Sequence, residues 1–172
     1  MCAIAMMTGL IVIGAWITIP FTVPFTMQIF AVALALLLLG GTKGTVAVLM
    51  YLLLGAFGVP VFSGFKGGLA AITGPTGGYI TGFILMGLLF IPFAKSGKWR
   101  IPVSVAKLLL GLLVVYAFGT AWFAYVAGNG RSIWAILSLC VFPYIVPDLI
   151  KIAVAVIVAE SVRRTGILRE LD

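Results

Sequence analysis

SIWAILSLCVFPYIVPDLIKIAVAVIVAESVRR, residues 132–164, is where the fold is decided. It is uncharged from Ile133 to Val158 except for Asp148 and Lys151, and it ends in a pair of arginines. Read as two crossings, it places the arginine tail on the opposite side of a membrane from the other basic clusters. Read as one crossing, it gathers them on one side. Basic residues concentrate in cytoplasmic loops, so the single crossing is preferred: 132–146 as a re-entrant or interfacial segment, and 147–164 as the last spanning helix.

The rest of the chain supports a membrane setting. Of 172 residues, 63% are apolar and 9% charged, with eleven Lys or Arg, four Asp or Glu and no His. A soluble domain carries about 25% charged residues, so fifteen charges cannot coat a water-facing surface of this size. Mean hydropathy is +1.30. Soluble enzymes, nucleic-acid binders and disordered chains are excluded, and the net charge of +7 reflects membrane topology rather than a polyanionic partner. The lack of His removes His-based acid–base chemistry and most transition-metal sites. Cys2 and Cys140 have no disulfide or metal spacing. The N-terminal run lacks a basic n-region and a small-residue cleavage site, so it is expected to be a retained helix.

Charges punctuate the chain. Residues 1–42 carry none, and Pro20 and Pro24 split that run into helix one near 2–19 and helix two near 27–40. Gly40–Gly44 reads as a tight turn before helix three, near 45–58. Helices two and three are each about 21 Å long at a rise of ~1.5 Å per residue, short against ~30 Å of hydrocarbon. Residues 59–78 form a Gly-rich loop too apolar for a solvated linker, expected to be covered by protein or to line a cavity at membrane depth. It is the candidate gate. Helix four is placed near 79–93, stopped by Pro92 and the basic Lys95, Lys98, Arg100 cluster. Helix five runs from Pro102 to about 118, and 119–131 is a loop turning at Gly128-Asn129-Gly130. The expectation is one all-α integral membrane domain, 1–172, with six transmembrane helices and both termini cytoplasmic. There is no internal repeat of the kind many transporters show.

Asp148 and Lys151 are the strongest chemical signal. Pro147 suits a first helical position, Asp148 would then enjoy the helix dipole, and the i, i+3 spacing puts both on one face. Ionisable groups within a membrane mark function by default; the alternative is a structural ion pair locking helix six. Gly74-Pro75-Thr76-Gly77-Gly78-Tyr79 precedes helix four, where backbone donors suit a ligand carboxylate, or else form a capping loop. Gln28 suits an amide-like ligand or a neighbouring helix. Tyr51, Tyr79, Trp122, Tyr125 and Tyr144 suit a pocket wall or the membrane interface. Ala5 and Gly9 lie four apart on helix one, a spacing that admits a close helix, within the chain or from a partner. Glu160 belongs with Arg163 and Arg164 in a solvated cluster. No P-loop or hydrolytic carboxylate pair is present.

Taken in order, ITIPFTVPFTMQIFAVALALLLLGGTKG (17–44), YLLLGAFGVPVF (51–62), GGLAAITGPTGGYITGF (67–83), YAFGTAWF (116–123) and FPYIVPDLIK (142–151) resemble the BioY family, the biotin-specific membrane subunits (S components) of energy-coupling factor transporters. The resemblance implies a six-helix, non-enzymatic protein of the bacterial or archaeal plasma membrane, with no cofactor, that captures biotin on the extracellular side. Its implied partners are a transmembrane coupling subunit and two ATP-binding cassette ATPases, consistent with the missing P-loop. Carried over, Asp148 and Lys151 contact biotin's polar groups, Gln28, Thr76, Gly78 and Tyr79 join them, and Ala5 and Gly9 face the coupling subunit. Residue 9 is glycine where the family usually shows alanine, and Val146-Pro147 stands where a Pro-Gly pair is common. The competing expectations are a subunit of this type for riboflavin or thiamine, a self-sufficient transporter or channel, and a membrane-embedded enzyme.

Overall fold

A computed structural model describes residues 1–91 and 100–165. Helix α1 (Cys2–Trp16) leads into a short antiparallel hairpin, β1 (Thr18–Ile19) and β2 (Phe25–Thr26), in which Thr18 pairs with Thr26. The helical run α2 (Gln28–Ala56) is interrupted at Gly40 (φ 78, ψ 175). Then come α3 (Leu69–Thr73), α4 (Gly77–Phe90), α5 (Arg100–Ala127), α6 (Ile133–Cys140) and α7 (Phe142–Arg164).

Taken as a single rod, α2 would span a bilayer once. It does not, because the chain reverses at Gly40. A Cβ on Gly44 would lie 2.9 Å from the Cα of Leu36, and Gln28 at the start of the run bonds Tyr51 near its end. Glycine supplies the positive φ this reversal needs. The two arms, 28–39 and 41–56, are the expected helices two and three. Residues Ala31 to Leu37 are all buried, so every face of the first arm is covered and it is the central helix. Its alanines let neighbours approach closely, which is how helices pack when lipid provides no hydrophobic drive. Helices α4 and α5 use the same device: a Cβ on Gly82 would sit 3.3 Å from the Cα of Val115.

Among the described residues the bundle is built mainly of six segments: α1, the two arms of α2, α4, α5 and α7. At one end, Gly41 packs on the backbone of Ile91, Lys107 Nζ donates to the Phe90 carbonyl (3.2 Å), and Arg163 donates to the Leu37 carbonyl. At the other, Trp16 Nε1 donates to the Pro60 carbonyl (3.0 Å) and Thr18 bonds Ser63 (2.8 Å). The N-terminus and Arg163 share the first end. Lys66 and Arg131 belong to loops at the second.

Several expected boundaries are corrected. Helix one stops at Trp16, and residues 18–19 enter a strand pair. The loop 59–78 contains α3, and its last two residues form the first turn of α4. Helix five continues to Ala127, nine residues past its expected end, because Gly119 serves packing rather than termination: a Cβ there would lie 2.3 Å from the Tyr79 ring. The last helix begins at Phe142 with Pro143 in its first turn, so Pro147 is interior. Asp148 is therefore in the second turn, and the dipole argument for it fails. The segment before it is a two-turn helix, about 12 Å long, too short to cross. Residues 92–93, Lys95, Lys98 and Arg169 lie outside the described residues.

Candidate functional site

Near the second end, the β-hairpin, the start of α2, α4, α5, α6 and α7 surround a cavity that is open on one side. Gln28, Thr76, Tyr79, Asp148 and Lys151 line it, together with Thr26, Ser63, Tyr116, Cys140 and Tyr144. Most of the wall is apolar, with a few convergent polar groups, as small-molecule sites are.

Asp148 and Lys151 are 2% and 6% exposed and pair at 2.8 Å. Lys151 Nζ also donates to the Thr26 carbonyl (2.7 Å) and lies 3.7 Å from the centroid of the Phe25 ring. An ammonium has three N–H bonds and no acceptor; carboxylate, carbonyl and aromatic face match the three. Phe25 stacks in turn on Tyr144 (6.4 Å), whose hydroxyl donates to the Val23 carbonyl. A desolvated cation over a ring is worth about 2 kcal/mol, which helps offset the cost of burying the charge.

The carboxylate is held from its other side. Tyr116 OH donates to Asp148 Oδ2 at 2.6 Å, and Oδ1 takes Lys151. A carboxylate offers about four lone-pair sites, so two remain for a ligand. With Lys151 occupied and Asp148 half-occupied, the site's polar preference is for a donor, such as an N–H group. The charges sum to zero, so the buried centre does not itself balance an ionic ligand.

A second polar group sits beside it. Gln28 Nε2 donates to Tyr51 OH at 2.6 Å, and Gln28 Oε1 accepts from Thr26 Oγ1 at 3.0 Å. Tyr51 packs edge-on against Phe62 (5.4 Å), and Phe62 fills the space left by Gly55, where a Cβ would come within 2.0 Å of the ring. Tyr79 OH bonds Thr120 Oγ1 at 3.0 Å.

Gly78 is elsewhere. A Cβ there would lie 2.3 Å from Trp122 Cβ, so it seats α4 against α5, while Trp122 Nε1 ties the preceding turn by donating to the Gly74 carbonyl (3.0 Å). Tyr125 is 87% exposed. Ala5 and Gly9 lie on the outward face of α1, and a Cβ on Gly9 would meet nothing within 4 Å. Glu160 pairs with Arg163 at 2.9 Å. Among the described residues no group of His, Cys, Asp or Glu has metal-ligand spacing.

Tyr116, Phe25 and Thr26 belong to this centre without having been singled out in the sequence. Thr26 acts through its backbone carbonyl, which carries no residue-type signal. Tyr116 is one aromatic in an apolar helix, 32 positions from its carboxylate.

The BioY family model matches residues 1–167. A probable biotin transporter BioY from Pyrococcus horikoshii is 44% identical over 161 residues, 93% of each chain. The biotin transporter BioY of Thermotoga maritima is 41% identical, over 94% of each. The crystal structure of the S-component for biotin from an ECF-type ABC transporter superposes with a TM-score of 0.82 at 29% identity, over 95% of this chain and 89% of that one.

Proposed function

Because the chain belongs to the BioY family, we propose that it captures biotin in this cavity, as the substrate-specific subunit of an ATP-driven vitamin transporter in a bacterial or archaeal plasma membrane. The observation that carries this reading is the buried Asp148 carboxylate, braced by Lys151 and Tyr116 with acceptor capacity to spare inside an apolar cavity. Biotin has a compact bicyclic body with a urea at one end and a carboxylate on a flexible chain. The urea N–H groups suit Asp148, and the apolar wall suits the ring body.

Lys151 acts at one remove, fixing the carboxylate while the Thr26 carbonyl and the Phe25 ring fix Lys151. Gln28, Thr76 and Tyr79 complete the polar rim, and Gly78 contributes by seating the helix that carries Tyr79. The end bearing Lys43, Lys107, Arg163 and Arg164 is cytoplasmic by the positive-inside rule, which puts the cavity mouth outside and both termini inside. The chain acts as a binding subunit without catalysis, and energy comes from a coupling subunit with two ATP-binding cassette ATPases.

Equilibrium binding to the detergent-purified chain tests the reading, with riboflavin, thiamine and dethiobiotin as comparisons. Saturable biotin binding with no response to riboflavin or thiamine is the expected result. Binding of another vitamin, with none of biotin, overturns the substrate assignment. Tyr116→Phe removes one charge-assisted hydrogen bond and is expected to weaken biotin binding roughly tenfold.

The outward face of α1 is the proposed contact for the coupling subunit, since Ala5 and Gly9 leave room for a close helix. Gly9→Leu is expected to leave biotin affinity unchanged and to abolish co-purification with the coupling subunit. Undiminished co-purification sinks the assignment of this face.

A further inference from the structure

Beside the ligand cavity lies a second, wider space, open to the outer end. Pro24, Ser63, Thr76 and Ile80 line both, so the two spaces share a wall, and the outer one forms a vestibule. Its lining includes one ionisable side chain, Lys66.

Lys66 is carried on a tightly built turn. Phe62 N donates to the Lys66 carbonyl at 2.9 Å, and Gly64 and Phe65 take positive φ of 70° and 57° to close the loop. Phe65 packs on Trp16 (5.1 Å), and Phe62 is wedged between Gly55 and Tyr51. Tyr51 bonds Gln28 in the ligand cavity. The backbone of Lys66 is thus joined through Phe62 and Tyr51 to the cavity wall, while its side chain is exposed.

The charge distribution points the same way. The chain has four acidic residues: Asp148, Glu160, Glu170 and Asp172. The charge of Asp148 is balanced by Lys151, Glu160 is at the far end with Arg163, and Glu170 and Asp172 lie outside the described residues. The outer loops contain no carboxylate to neutralise Lys66. The buried centre sums to zero, so a ligand carrying a net negative charge must find its counter-charge elsewhere.

Resting on the proposed function, we infer that Lys66 is that counter-charge: its ammonium meets the carboxylate of biotin's chain in the vestibule while the bicyclic body occupies the inner cavity. Lys66 then selects anionic over neutral forms of the ligand, and Asp148 selects the urea. An ion pair in a wide, open vestibule is screened by salt, so this selection weakens as ionic strength rises, whereas the buried urea contact does not.

The test compares biotin with its methyl ester, which keeps the urea and ring but lacks the charge. Both are titrated into the purified wild-type chain and into Lys66→Met, Lys66→Glu and Lys66→Arg, at low and high salt. The expected result is a roughly two- to fivefold loss for biotin in Lys66→Met at low salt, the worth of one exposed ion pair. A larger loss is expected in Lys66→Glu, retention in Lys66→Arg, and no change for the ester in any of them. Equal losses for biotin and ester overturn the inference by making Lys66 a structural residue. An unaltered biotin affinity in Lys66→Met and Lys66→Glu also overturns it, with biotin capture itself still standing. Failure of the wild-type chain to bind biotin removes the functional reading and this inference together.

Discussion

Asp148→Asn is expected to weaken biotin binding by about a hundredfold or more and to lower the stability of the protein at the same time. The amide fills the same space but carries no charge. The Lys151 ammonium, 6% exposed, is left without its counter-ion. Removing one partner of a buried pair costs about 3–5 kcal/mol, and the charge-assisted contact to the ligand is worth about 1.5–3 kcal/mol more. Both readouts should fall, the first in calorimetric titration and the second in a thermal melt in detergent. The double variant Asp148→Asn with Lys151→Met separates the two roles. With no charge left to bury, stability should return to within about 1 kcal/mol of wild type, while biotin binding stays lost. If the double variant binds biotin as the wild type does, the ion pair is a structural clasp and the ligand is read elsewhere.

The second large effect is expected at Gly77. A Cβ there would sit 1.6 Å from the Ile72 carbonyl oxygen and 2.5 Å from its carbon. The obstacle is backbone, so no side-chain rotation relieves it. Gly77→Ala must push α3 away from α4, and it displaces Thr76 and Tyr79 on either side. Overpacking of this kind costs about 1–3 kcal/mol, occasionally more. Loss of biotin affinity should accompany the fall in melting temperature, because both cavity residues move. Gly9→Ala is the matched control. Its Cβ meets open space, and replacing a helical glycine by alanine stabilises by about 0.5–1 kcal/mol, so its melting temperature should hold or rise. A Gly77→Ala protein that melts and binds as the wild type does would show that the α3–α4 turn is not rigid.

How much of this was legible in the sequence depends on whether the cause was local. Most segment boundaries followed from where charges fall, because each charge is costly inside hydrocarbon and therefore marks a boundary; the first two helices were separated instead by Pro20 and Pro24. Gly40 was legible as a turn because a reversal needs a positive φ. The end of helix five was not, since a glycine that breaks a helix and a glycine that admits a neighbouring ring look alike in sequence. Gly119 is the second kind, and only Tyr79, forty residues earlier, distinguishes them. The start of the last helix was misplaced for a related reason: Pro143 and Pro147 are both eligible for a first turn, and the helix takes Pro143 there and keeps Pro147 inside.

The site divides along the same line. Asp148 and Lys151 were visible because they are charges three apart in an apolar run. Tyr116 and the Thr26 carbonyl were not, as their roles arise only when α5 and the N-terminal hairpin close on α7. Asp148 and Lys151 do meet, at 2.8 Å, but not at a helix N-terminus. The carboxylate is stabilised by Tyr116 and Lys151, not by a helix terminus.

The contact from Lys151 to the Thr26 carbonyl spans 125 positions of sequence. It makes one ammonium a member of two equilibria, the filling of the cavity and the docking of the N-terminal hairpin on α7. Such equilibria are reciprocal: whatever free energy the ligand gains from a closed hairpin, the hairpin gains from the ligand. A protein that releases its ligand inside the cell therefore need not act on the ligand at all. Prising the segment 18–26 away from α7 by a small distance lowers the affinity by the same factor by which biotin resists that movement.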